Sequence, residues 1–155
     1  MTTLDRIKQL LTARAIPFKT LHHQPTHTSE ESAAVRGESL AVGAKAIVMK
    51  VGGRFALFVI SAARRIDGRK IRAFLGAKKT RFATPEELME LTGLAPGSVP
   101  PLGRPILDMD LYVDASIQAN DRVAFNAGSL TDSIIMAADD YFGLIDATVF
   151  DFAQD

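Results

Sequence analysis

Lys45 is the side chain with the clearest chemical potential in this 155-residue chain. The run from Ala44 to Val51 reads as a strand, in which side chains alternate between faces. Lys45 then shares a face with Ile47, Met49 and Val51, while Lys50 lies opposite with Ala46 and Val48. One ammonium is therefore expected on the more apolar side, beside Gly43, where it needs an anion or a carbonyl to offset its desolvation. The competing reading is a lysine whose head snorkels from the strand end into water. A second candidate is the loop Gly97-Ser98-Val99-Pro100-Pro101-Leu102-Gly103. Glycine and proline together fix a backbone that can aim N–H groups at a ligand oxygen, although such loops also serve as plain connectors. The third is Asn126-Ala127-Gly128-Ser129, a polar turn after the apolar run Val123-Ala-Phe125. Asp132, close by, is placed to orient a lysine or a ribose hydroxyl, or simply to close the turn.

Several chemistries find no support. No cysteine is present, so there is no disulfide framework, thiolate nucleophile or cysteine-bound zinc. His22, His23 and His27 fall within six residues, but no usual metal-ligand spacing emerges, and no metal or cofactor is expected. A Gly-x-Ser-x-Gly elbow, a Walker loop and a Rossmann glycine pattern are all missing. Hydrophobic residues make up 47% and charged residues 23%, enough for a single domain over 1–155 to bury a core. The longest apolar runs fall far short of a membrane span. Met1-Thr-Thr-Leu-Asp-Arg lacks the layout of a secretory signal, so a cytoplasmic location is expected.

Zero net charge hides a strong polarity along the chain. Residues 1–82 carry 16 Lys/Arg against 5 Asp/Glu, and residues 83–155 carry 2 against 13. Eight of the cations lie between Arg64 and Arg81, a footprint that fits a polyphosphate partner as well as it fits a salt-bridged surface. Leu4, Ile7, Leu10 and Leu11 predict a helix over 3–15, ended by Pro17. A short strand follows at Phe18, and Thr28 with Glu31 forms a capping box for a helix running to Gly37. Ala44–Val51 and Arg54–Ile60 form a hairpin through Gly52-Gly53. Asp67 and Thr84-Pro85 start helices that stop at Gly76 and Gly93. Residues 94–105 are a loop; strands are predicted over 106–113, 122–126, 133–136 and 148–152, with a helix near 138–146. These elements make an α+β domain.

Four segments, taken in order and spacing, resemble the YbaK/prolyl-tRNA synthetase-associated editing family. They are His23-Gln-Pro25 with Thr28-Ser-Glu-Glu and Ala34-Val-Arg-Gly37; Gly43-Ala-Lys45-Ala-Ile-Val-Met-Lys50; Gly93-Leu-Ala-Pro-Gly97-Ser-Val-Pro100-Pro-Leu-Gly103; and Phe125-Asn-Ala-Gly128-Ser. The resemblance spans about residues 4–150. It implies a mixed, largely antiparallel, barrel-like sheet flanked by helices, and hydrolysis of mischarged aminoacyl-tRNA in trans, without metal. Lys45 corresponds to the family's essential lysine. Gly97, Ser98, Val99 and Pro100 correspond to its Gly-x-x-x-Pro type loop, spaced here as Gly-x-x-Pro. Thr28, Asn126, Gly128 and Asp132 complete the implied substrate site. Arg64, Arg65, Arg69 and Lys70 become implied acceptor-stem contacts, and a tRNA synthetase an implied partner. Members that clear alanine often carry Asn after the lysine and His two residues after the turn glycine. Ala46 and Leu130 stand there instead, which favours serine or threonine esters. Two other expectations compete: a non-catalytic tRNA- or nucleotide-binding module, and a hydrolase of small aminoacyl esters.

Overall fold

The computed structural model describes all 155 residues, Met1–Asp155. Helix α1 (Thr3–Ala13) opens with a full capping box, the Thr2 side chain accepting from Asp5 N–H and the Asp5 carboxylate from Thr2 N–H. It buries Ile7 and Leu11 and ends two residues earlier than its periodicity predicts, with Ala15 at φ 54° just before Pro17. After β1 (Phe18–His22), α2 (Ser29–Arg36) starts at Thr28, whose hydroxyl accepts from Glu31 N–H. The Glu31 carboxylate reaches back to His27 N–H, one residue upstream of the expected partner. The hairpin β2 (Ala44–Val51) and β3 (Arg54–Ser61) pairs in the register Val51↔Arg54 to Ala44↔Ser61. α3 (Gly68–Leu75) is capped by Asp67, and α4 (Pro85–Thr92) by Thr84. β5 (Leu111–Asp114), β6 (Arg122–Asn126), β7 (Asp132–Ala137), α5 (Ala138–Leu144) and β8 (Thr148–Phe150) complete the chain.

A short edge strand, β4 (Thr80–Phe82), pairs with the last residues of β2, Met49–Val51, and no sequence signal announced it. The strand expected over 106–113 shrinks to Leu111–Asp114. Ile106, Leu107 and Met109 are buried, but in a turn held by Arg104 bonded to Asp108 and Asp110. An apolar run can therefore reach the core from a loop as well as from a strand.

The strands form two sheets. One is antiparallel, in the order β1-β7-β6; the other runs β4-β2-β3-β5-β8, antiparallel at β4-β2-β3 and parallel at β3-β5-β8. The two meet through a single parallel bridge, Gly43↔Ala124. The mixed α+β expectation therefore holds, but the barrel is not closed: β2 is joined to β6 at one point only. Between the sheets lies the main core, with Val48, Leu57, Val59 and Val113 facing Val123, Phe125, Ile134 and Met136. α3 covers the outer face of the larger sheet, where Ile71 packs with Met49, Phe58, Ile60 and Phe152. The Tyr141 hydroxyl, fully buried, donates to Pro101 C=O at 2.7 Å and ties the proline-rich loop to α5. A buried polar tip of this kind is stable only with such a partner.

Candidate active site

A hollow of about 230 Å³ opens beside the first residues of β2, at the seam between the sheets. β4 covers only the far half of β2, so the near half keeps a free edge on that side. The hairpin's odd-numbered residues make the paired bonds to β3, since Val51 and Arg54 flank a two-residue turn. Even-numbered amides point away, so Ala46 N–H faces the open edge, and Ala46 lines the hollow. Lys45 lines it too.

The Lys45 ammonium is half-buried and takes part in none of the chain's ion pairs. Burial holds its pKa below the usual lysine value; Arg65 pushes the same way and Glu30 opposes. The face carrying Lys45 is not the more apolar one. Its neighbours Ile47, Met49 and Val51 belong to the small cluster under α3, whereas Ala44, Ala46 and Val48 face the main core. β2 is covered on both faces, so alternation within one strand could not tell which side is deeper.

Opposite Lys45 stands α2, which presents Thr28, Ser32 and Arg36 at four-residue intervals along one face. Ser32 and Thr26 are buried there, their hydroxyls 2.8 Å apart. Arg36 is the residue that motif reading missed. Its Nε donates to Ser133 Oγ and its guanidinium to Asn126 Oδ1, both at 2.9 Å. No carboxylate pairs with it, because Glu38 is bonded to Arg122. Burial pulls its pKa down to about 10, which leaves it a cation at neutral pH. The Thr28 cap carried the missed signal: a residue eight positions on lies on the same helix face. His23 extends the chain of bonds, Nε2 lying 2.8 Å from Ser133 Oγ.

The loop and the turn singled out in the sequence come together. Asn126 Nδ2 donates to Gly97 C=O at 2.7 Å, and Gly128 N–H to Ser98 C=O at 2.9 Å. Gly97, Val99 and Asn126 line the hollow, whereas Ser98 and Pro100 are buried behind it. Ser98 spends its hydroxyl and its N–H on Ala95 C=O. Gly128 also lies outside the lining. At φ 89° it packs on the start of α1, and an added Cβ would stand 2.7 Å from Thr3 Cβ. Gly128→Ala should accordingly lower Tm by several degrees through backbone strain and this clash. Thermal unfolding measures it, with kcat of the folded fraction unchanged. Asp132 closes the turn by accepting from Ser129 (2.6 Å) and Thr131 (3.1 Å), with His22 Nδ1 2.8 Å away. These bonds, Ser129's first, hold its carboxyl below the usual range.

The basic stretch divides by pairing. Lys70 is engaged by Asp151 and Asp155, Arg69 by Asp67, and Arg81 by Glu87, while Arg64 donates to Gln154 C=O. Of the four cations assigned to an acceptor stem, Arg65 alone acts electrostatically on Lys45.

The α+β domain thus presents an unpaired lysine at a free strand edge, facing a wall of hydroxyls and a partly buried guanidinium. Residues 23–144 match the aminoacyl-tRNA editing domain, and the chain belongs to that family. It is 31% identical to the multifunctional Ser/Thr-tRNA deacylase ProXp-y of Escherichia coli (strain K12), over 98% of this chain and 93% of that protein. A proline–tRNA ligase of Bacillus licheniformis is 32% identical over 69% of this chain, a stretch that makes up 18% of the ligase. The crystal structure of a candidate trans-editing enzyme for prolyl-tRNA synthetase superposes with a TM-score of 0.86 at 27% identity, covering 100% of this chain and 99% of that one.

Proposed function

We propose that this protein is an aminoacyl-tRNA deacylase that hydrolyses the ester of tRNA mischarged with serine or threonine, and more weakly alanine. The observation that carries the reading is the unpaired Lys45 ammonium on the edge of a small hollow whose opposite wall is polar. At about 230 Å³ the hollow is smaller than the ~300–1,000 Å³ of pockets for drug-sized ligands. It suits an acyl group and its ribose, with the rest of the RNA outside. The identity to a Ser/Thr-tRNA deacylase supports the same substrate class.

The ester carbonyl oxygen is received by Lys45 Nζ, with the outward Ala46 amide as second donor. Water adds to the acyl carbon, the acyl–oxygen bond to the ribose breaks, and the ribose oxygen takes the proton. A ribose already makes a good leaving group, so stabilising the developing oxyanion and holding the water are the main tasks. No carboxylate lines the hollow; its titratable side chains are His27, Arg36 and Lys45. The neighbouring ribose hydroxyl fills the role of a base that guides the water. Thr26, Ser32 and Asn126 offer hydrogen bonds to a substrate hydroxyl. A site built to bond a hydroxyl discriminates strongly against the analogue lacking it, whereas one methylene changes little. Release of mischarged tRNA by a synthetase supplies the substrate, which makes such an enzyme the synthetase's functional partner and places it in the cytoplasm.

Deacylation of Ser-, Thr- and Ala-charged tRNA tests the reading. Ester loss on the first two, above the uncatalysed rate, is expected. Binding of all three without ester loss would make the protein a non-catalytic module. Equal rates on aminoacyl esters lacking RNA would make it a small-molecule hydrolase.

A further inference from the structure

The far end of β2 carries a second hollow that the acyl site does not use. It has a volume of about 490 Å³, and its lining consists of Lys50, Gly52, Arg72, Lys78, Lys79, Thr80 and Arg81. Five of these seven are cations and none is an acid. Three elements assemble them. Lys50 stands opposite Arg81 in the β2–β4 pairing, Arg72 comes from the last turn of α3, and Gly52 N–H bonds to Lys79 C=O so that the hairpin tip meets the α3–β4 connection.

Pairing separates most of this cluster from Arg69 and Lys70, and its concave arrangement separates it from Arg64 and Arg65, which are also free of ion pairs but line neither hollow. Lys70 and Arg69 spend their charge on acids of this chain, whereas Lys50, Arg72, Lys78 and Lys79 enter no ion pair. Arg81 is bonded to Glu87, which fixes its guanidinium at the rim. Lys50 also lies over the Phe55 ring, 5.6 Å from its centre, so its stem is held in place. Thr80 carries the one buried side-chain polar atom in the protein without a hydrogen-bond partner, its Oγ1. Like charges this close repel, and a fold that gathers four of them around a concave surface gains when an anion with several phosphates releases its counterions there.

Reach sets the kind of anion. Lys50 lies five residues from Lys45 along the same strand, about 17 Å at ~3.3 Å per residue. The acceptor end of a tRNA is a short unpaired tail on a duplex. With the acyl group beside Lys45, a tail of that length would bring the duplex backbone to the far end of β2.

We infer that the groove formed by Lys50, Arg72, Lys78 and Lys79 seats the acceptor-stem backbone of the tRNA, replacing Arg69 and Lys70 in that role. This rests on the deacylase reading for the position of the acyl group, and binding of uncharged tRNA tests it independently of catalysis. Lys78 and Lys79 are exposed, so Lys78→Ala/Lys79→Ala leaves the fold intact. Its affinity for uncharged tRNA should fall several-fold, and the slope of log affinity against log salt should shrink by about 2, one for each lost phosphate contact. For deacylation, KM rises and kcat holds. The matched control is Arg14→Ala/Lys19→Ala, which removes two exposed, unpaired cations from the C-cap of α1 and from β1 and should bind as the wild type does. A groove variant with wild-type affinity and slope, or a control that loses as much as the groove variant, would overturn the inference. Wild-type protein that binds tRNA through the groove yet cleaves no ester would overturn the deacylase reading and leave the groove standing.

Discussion

Lys45→Ala lowers kcat for deacylation of Ser-tRNA at least ~100-fold, while the affinity for uncharged tRNA changes little. Removing one preorganised donor at a developing oxyanion costs about 10²–10³ in kcat, and Lys45 is the one cation lining the hollow that spends no hydrogen bond within the chain, Arg36 being bonded to Ser133 and Asn126. Single-turnover rates at saturating enzyme give the loss directly. Stability should move the other way. Because burial holds the folded-state pKa of Lys45 below its unfolded value of 10.5, the unfolded chain binds more protons in the window just below 10.5. The lysine's contribution to stability is therefore unfavourable at neutral pH and improves as pH rises through that window. Lys45→Met keeps the stem and removes the charge. Its Tm at pH 7 should equal or exceed that of the wild type, and the difference should close as pH approaches 10.5. A residue whose loss stabilises the protein while abolishing turnover is held for chemistry rather than for folding.

Arg36→Ala carries the second large effect. The guanidinium is the donor that joins Ser133 to Asn126, and Asn126 in turn bonds Gly97 of the loop. Truncation leaves Asn126 Oδ1 without its main donor, a loss of up to about 3 kcal/mol at a part-buried acceptor, and frees the amide to rotate. The wall of the hollow then loses its shape as well as its charge. Both Tm and kcat/KM should fall, the latter by up to ~10-fold if half of that energy is felt in the transition state. Arg36→Lys should restore little, because an ammonium cannot reproduce two bonds from a planar fork to acceptors on different strands. Full activity in Arg36→Lys would mean that charge alone matters and that the geometry of the network does not.

The capping and stop signals were legible because they are local. Thr28, Asp67 and Thr84 begin helices, and Gly37, Gly76 and Gly93 end them, by bonds within one turn of chain. The hairpin was legible for the same reason, since Gly52-Gly53 lies between two β-rich runs. β4 was not, because three residues without alternation acquire strand character only by pairing with β2. Which face of β2 is deeper depends on α3 and on the second sheet, and neither is encoded within the strand. At the site, residue types that carry chemistry singly were visible, as Lys45 and Asn126 show. Arg36 was not, because its role arises from contacts 90 and 97 positions away in the chain. The pairing of Gly97 with Asn126 is likewise a fact of the tertiary fold. Ala46 and Leu130, read as marks of a serine or threonine branch, both line the hollow.

The most direct test is a titration of the isotope-labelled protein with seryl-adenosine in which an amide replaces the ester, read by NMR at the lysine side chains. The account predicts that the Lys45 Cε and Hε resonances shift on binding while those of Lys8 and Lys19 stay still, and that Lys45→Ala binds the analogue more weakly. An analogue that saturates the hollow and leaves the Lys45 resonances where they were would contradict it.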